Sequence, residues 1–162
     1  LKILIIGYGN PDREDDGVAW HVLNGIASRL GRPQFDEVGE GFQQLEGTLD
    51  LLFQLQLTPE LAETLAQYDS VCFVDAHTGN IEADLQVISI DPAYQASAFT
   101  HHMTPQTCLA LAQGLYQAEP QAVLVSIRGY QFEFSHTLSD KTARLASEAV
   151  DRIMGWIAGQ AA

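Results

Sequence analysis

Short runs of Val, Ile and Leu with little polar alternation constrain this chain most, because a strand apolar on both faces needs a covering layer on each side. Such runs occupy residues 2–6, about 51–57, 71–75, 85–90 and 122–127. Helical spacing fills the gaps between them. After Asp16, residues Val18, Val22, Ile26 and Leu30 fall four apart beside Ala19, Leu23 and Ala27, and the pattern stops at Gly31 ahead of Pro33. That is an amphipathic helix with a stop signal. Thr58-Pro59 and Thr104-Pro105 each put a capping hydroxyl before a proline suited to the first helical position, so helices are expected over about 58–68 and 104–117. A last helix, about 139–157, carries Leu145, Ala149, Ile153 and Ile157 on one face. Strands alternating with helices in this way predict an α/β fold, a three-layer α/β/α sandwich around a mostly parallel five-stranded sheet. Residues 31–50 are polar and punctuated by Gly39, Gly41 and Gly47, which reads as a long loop or a small excursion.

A chain of 162 residues, 46% of them hydrophobic, fits a single domain over 1–162 with a sizeable core. No apolar run approaches the roughly 20 residues of a membrane span, and residues 1–6 are too short for the core of a signal peptide, so the expectation is a soluble, cytoplasmic protein. Cys72 falls in an expected strand and Cys108 in an expected helix, where both are expected as reduced, structural thiols. The formal charge is −13, from 8 basic and 21 acidic residues, and the basic ones form no stripe. Phosphate backbones are held by such stripes, so nucleic acid is a poor candidate partner.

In an open α/β sheet, ligands gather beyond the carboxyl ends of the strands. The first apolar run leads into Gly7-Tyr8-Gly9-Asn10-Pro11-Asp12-Arg13-Glu14-Asp15-Asp16-Gly17, with four carboxylates in five positions, the third into Asp75-Ala76-His77, and His101-His102 precede the Thr104 cap. Gly7-x-Gly9 lacks the third glycine of a dinucleotide fingerprint, and its carboxylates would repel a pyrophosphate at the helix start. Asp15 or Asp16 could simply cap the helix and complement its dipole. Asp75 alone could be a turn residue, and either histidine a solvated loop residue. Taken together, two carboxylates and an imidazole make an N/O donor set suited to a divalent transition metal with open positions.

The apolar strand Ile3-Leu4-Ile5-Ile6, the Gly7-Tyr8-Gly9-Asn10 turn, the acidic pair before a glycine, Asp15-Asp16-Gly17, and the strand-end stretch Val71-Cys72-Phe73-Val74-Asp75-Ala76 resemble the hydrogenase maturation endopeptidases. The resemblance covers nearly the whole chain. It implies that Asp16, Asp75 and His102 are nickel-binding and catalytic residues, with His101 as the neighbouring alternative to His102. It also implies a substrate, the large-subunit precursor of a nickel-iron hydrogenase, from which such enzymes remove a C-terminal extension once nickel is inserted. The nickel is then carried by the precursor, and other divalent ions could occupy the same ligands. One stretch departs from the family: where it often carries Asp-Gly-Gly-Thr after the second strand, this chain reads Gln54-Leu55-Gln56-Leu57-Thr58-Pro59.

A metal held by these residues could polarise a peptide carbonyl and activate water, or it could only dock the precursor while a carboxylate acts as general base. No serine or cysteine lies in a recognisable nucleophile motif. Peptidyl-tRNA hydrolases are similar in opening with a strand and a Gly-x-Gly-Asn-Pro turn, but this chain lacks their basic face and their histidine-asparagine pair. The alternative of another class is a nickel-responsive binding module or chaperone that grips the precursor without cutting it.

Overall fold

The computed structural model describes residues 1–36, 38–44, 47–94 and 103–160. Its centre is a sheet of six strands, one more than expected: β1 (Ile3–Tyr8), β2 (Gly41–Gln43), β3 (Leu49–Gln54), β4 (Ser70–His77), β5 (Leu85–Ile90) and β6 (Gln121–Arg128), in the spatial order β2-β3-β1-β4-β6-β5. The four inner strands run parallel, and β2 and β5 are antiparallel edges. The extra strand is the short β2, formed by Gly41-Phe42-Gln43 inside the segment expected to be an excursion.

Strand alternation sorts the apolar residues into two layers. Ile3 and Ile5 of β1, Leu51 and Phe53 of β3, and Cys72 and Val74 of β4 meet helices α1 (Val18–Arg29) and α4 (Asp140–Gln160) on one face. On the other face, Leu4, Ile6, Val71 and Phe73 meet α2 (Leu61–Leu65) and α3 (Pro105–Tyr116). The result is the expected three-layer sandwich. Both cysteines are free and buried. Among the described residues no helix is long and apolar enough to cross a membrane.

Several boundaries move. β3 ends at Gln54 rather than near residue 57, since Leu55 is half exposed. β4 runs on to His77 because β6 pairs with it as far as Arg128. The two Thr-Pro signals part company: Thr104 caps α3, accepting from the Thr107 amide at 3.2 Å with Pro105 in the first turn. α2, in contrast, starts only at Leu61 without a side-chain cap. Residues Glu14–Gly17 form a 3-10 turn that leads into α1, whose N-cap is Gly17, so neither Asp15 nor Asp16 caps that helix.

Candidate active site

The chain leaves β1 through α1 to β3 on one side, and later returns through α2 to β4 on the other side of β1. The carboxyl ends of β1 and β4 therefore flank a topological switch point, where a doubly wound sheet opens a crevice. Gly7 lies opposite Val74 in the parallel register, which places Tyr8 and Asp75 side by side. Gly7 and Asp75 thus stand on adjacent strands, as the sequence predicts.

The turn after β1 folds back tightly on itself. Gly9 has φ +141°, and a Cβ there would sit 2.2 Å from the Asp16 carbonyl oxygen, so only glycine lets the two backbone segments approach. The Asp16 carboxylate then accepts from the Asn10 amide at 3.0 Å. This closes the turn with Asp16 only partly buried.

Asp15 does something else. Fully buried, its carboxylate accepts from the amides of Tyr130, Gln131 and Ser139 and the hydroxyls of Ser139 and Thr142, at 2.6–3.0 Å. Burial works to raise its pKa, but the bonds from Ser139, Tyr130 and Gln131 prevail and the net shift is downward. Around it, the acidic turn and the loop after β6 are stitched together, Glu14 N to Ser135 O at 2.9 Å and Ser135 N to Asp12 O at 3.1 Å. Asp12 also meets His136 Nε2 at 2.6 Å. Of the four carboxylates of the turn, Asp15 is structural, Asp12 and Glu14 bind the neighbouring loop, and Asp16 is the one whose charge adds to the rise of the Asp75 pKa.

The Tyr8 hydroxyl donates to Asp75 Oδ2 at 2.7 Å, while Asp75 Oδ1 is buried and makes no hydrogen bond. Burial pushes the Asp75 carboxyl up to about 6; the Tyr8 and Ser126 hydroxyls oppose that rise and the nearby Asp16 carboxylate adds to it. Burial, and then the charge of Asp75, hold the Tyr8 phenol well above its ordinary range. Tyr8 is the site residue the sequence reading missed. Its signal was the alternation Leu4, Ile6, Tyr8, which puts it on the face shared with Phe73 and Asp75.

His102 and His101 lie outside the described residues. The chain resumes at Met103, which packs with Tyr8, Leu111 and Leu124 against the second apolar layer. Among the described residues no three His, Cys, Asp or Glu side chains come close enough to hold a metal. The other histidines serve elsewhere: His77 Nδ1 accepts from Gly79 N at 3.1 Å, and the His21 ring meets Trp20 edge-on with centroids 5.1 Å apart.

The fold is similar to that of hydrogenase maturation proteases of known structure. The chain aligns with the hydrogenase maturating endopeptidase HybD from Escherichia coli over 99% of its own length and 94% of that chain, with a TM-score of 0.71 and 14% identity. With the nickel-iron hydrogenase maturation protease HycI from Thermococcus kodakarensis the TM-score is 0.65, at 18% identity over 94% of this chain and 89% of the other. A hydrogenase 2 maturation peptidase from a Thaumarchaeota archaeon gives 0.64, at 17% identity over 98% and 99%. No family model matches the sequence, and no curated protein matches it. The shared property is the fold over nearly the full length, kept while the sequence has diverged widely.

Proposed function

We propose that this protein is an endopeptidase that removes the C-terminal extension of a nickel-iron hydrogenase large-subunit precursor after nickel insertion. The observation that carries the reading is a fold shared over nearly the whole chain with proteases of that name, with Asp75 near the carboxyl end of β4 and Asp16 in the turn that follows the adjacent β1. The nickel belongs to the substrate. Asp16, Asp75 and His102 recognise it, two hard carboxylates and an imidazole being a donor set suited to a divalent ion that keeps open positions.

The protein's own groups supply the rest of the chemistry. Nickel docks the precursor, and one carboxylate of the site serves as the general base that takes a proton from attacking water. The compartment we propose is the cytoplasm, with which two free, buried cysteines agree.

Purified protein mixed with a nickel-loaded precursor is expected to shorten it at the C-terminus, read as a mass loss. Asp16→Asn and Asp75→Asn are expected to fold and to stop this processing, since both carboxylates lie outside the apolar layers. Tight binding of the precursor with no mass loss would instead identify a nickel-responsive chaperone. Cleavage at the wild-type rate by either variant would remove that carboxylate from the site.

A further inference from the structure

Two carboxylates near the switch point are treated in opposite ways. Both oxygens of Asp15 are engaged, by five donors. Asp75 is held by the Tyr8 hydroxyl at Oδ2, 2.7 Å away, with the Ser126 hydroxyl of the paired strand also acting on the carboxylate, and its Oδ1 is buried without a hydrogen bond. A buried acceptor left open costs stability and calls for a partner. We infer that Tyr8 is a positioning residue, whose hydroxyl fixes the Asp75 carboxylate by Oδ2 so that Oδ1 is kept free as a single-oxygen ligand for the divalent ion. The inference rests on the nickel reading proposed above.

The geometry suits that role. Tyr8 ends β1 and Asp75 sits on the adjacent strand β4, so both backbones are fixed in the sheet. The Tyr8 ring is packed against the second apolar layer, which leaves the hydroxyl little freedom of direction. A carboxylate accepts and cannot donate, so the phenol must present its proton to Oδ2. Donors of this kind, bonded to a ligand rather than to the metal, orient the ligand and tune its affinity.

The molecule contains its own control. Tyr68 donates to Asp50 Oδ2 at 2.5 Å, and Asp50 Oδ1 is likewise buried without a hydrogen bond. Asp50 lies opposite Leu4, near the amino end of β1, and so at the far end of the sheet from the crevice. Removing each hydroxyl deletes the same kind of bond, but only one of them bears on the site.

The experiment titrates nickel chloride calorimetrically into the purified full chain and into its Tyr8→Phe, Tyr68→Phe and Asp75→Asn variants, with urea unfolding midpoints recorded alongside. Tyr8→Phe keeps the ring and its packing, so its uptake is expected to weaken about ten- to a hundredfold. Tyr68→Phe is expected to bind nickel like the wild type, and Asp75→Asn to lose uptake. Wild-type affinity in Tyr8→Phe while Asp75→Asn fails to bind would overturn the positioning role alone. Equal weakening in Tyr68→Phe would also overturn it, by showing a general effect of lost stability. Undiminished uptake in Asp75→Asn, or none in the wild type, would sink the nickel reading and the inference with it.

Discussion

Asp15 and Asp16 are neighbours in the chain with separate tasks, and substitution separates them. Asp15→Asn exchanges an acceptor for an amide that faces five donors, so it is expected to destabilise the fold by about 3 kcal/mol or more. Asp16→Asn should stay within about 1 kcal/mol of the wild type, because it loses one partly buried bond, to Asn10. Urea unfolding of the two variants at neutral pH checks this. Asp75 adds a dependence on pH. Its pKa is raised from 3.8 to about 6 in the folded protein, so the folded state holds this proton after the unfolded chain has released it. Asp75 therefore costs nothing below about pH 4, and stability is lost as the pH climbs from there to about 6. The loss is about 3 kcal/mol once both states are ionised. Asp75→Asn removes the charge and keeps an acceptor for Tyr8, so it should unfold at higher urea than the wild type at pH 8 and at nearly the same urea at pH 4. Equal differences at both pH values would mean that Asp75 is not the group that titrates. Asp15 has the opposite sign: its lowered pKa gives stability that is present above pH 4 and lost as the pH falls through its folded value.

At the scale of elements, the two Thr-Pro signals are a direct test of what a cap contributes. Thr104→Ala should cost about 1 kcal/mol, since the hydroxyl accepts from the Thr107 amide, whereas Thr58→Ala should cost less than about 0.5 kcal/mol. A thermal melt of each variant measures the difference. The same contrast shows why some elements were legible and others were not. The central strands announce themselves as Val, Ile and Leu runs because both of their faces are buried. α1 and α4 announce themselves by a one-sided stripe, and the layers and parallel pairing follow from the alternation. β2 leaves no such trace: with three residues, and Phe42 largely exposed, it forms because β3 offers an open edge, which no local pattern records. Asp75 was legible as the polar residue closing an apolar run. That it lies inside β4 depends on how far β6 extends, a non-local fact. The division of labour between Asp15 and Asp16 was not legible either, because the donors that claim Asp15 come from residues 130–142, far along the chain.

On the scale of the whole molecule, the question is how firmly such a site holds a metal of its own. The expected ligands are Asp16, Asp75 and His102, three groups from three separate segments with no thiolate, and among the described residues no fourth His, Cys, Asp or Glu completes a set. Closed structural zinc sites have four ligands and often use cysteine, and here both cysteines are free and buried in the apolar layers. A three-ligand site without a thiolate should bind a free divalent ion weakly and exchange it readily. An enzyme that inspects another protein's nickel needs that property, because a firmly held resident ion would occupy the ligands before the precursor arrived. The protein is therefore expected to purify largely free of metal and to take up nickel or zinc reversibly, as measured by elemental analysis and calorimetry. The histidines provide the internal comparison. His136 is engaged by Asp12 at 2.6 Å, and His21 packs edge-on against Trp20, so neither is expected to contribute. His102→Ala should weaken uptake far more than His21→Ala or His136→Ala does. Equal losses in all three would show that His102 is the wrong ligand, and stoichiometric metal surviving prolonged chelation would replace recognition with a resident catalytic ion.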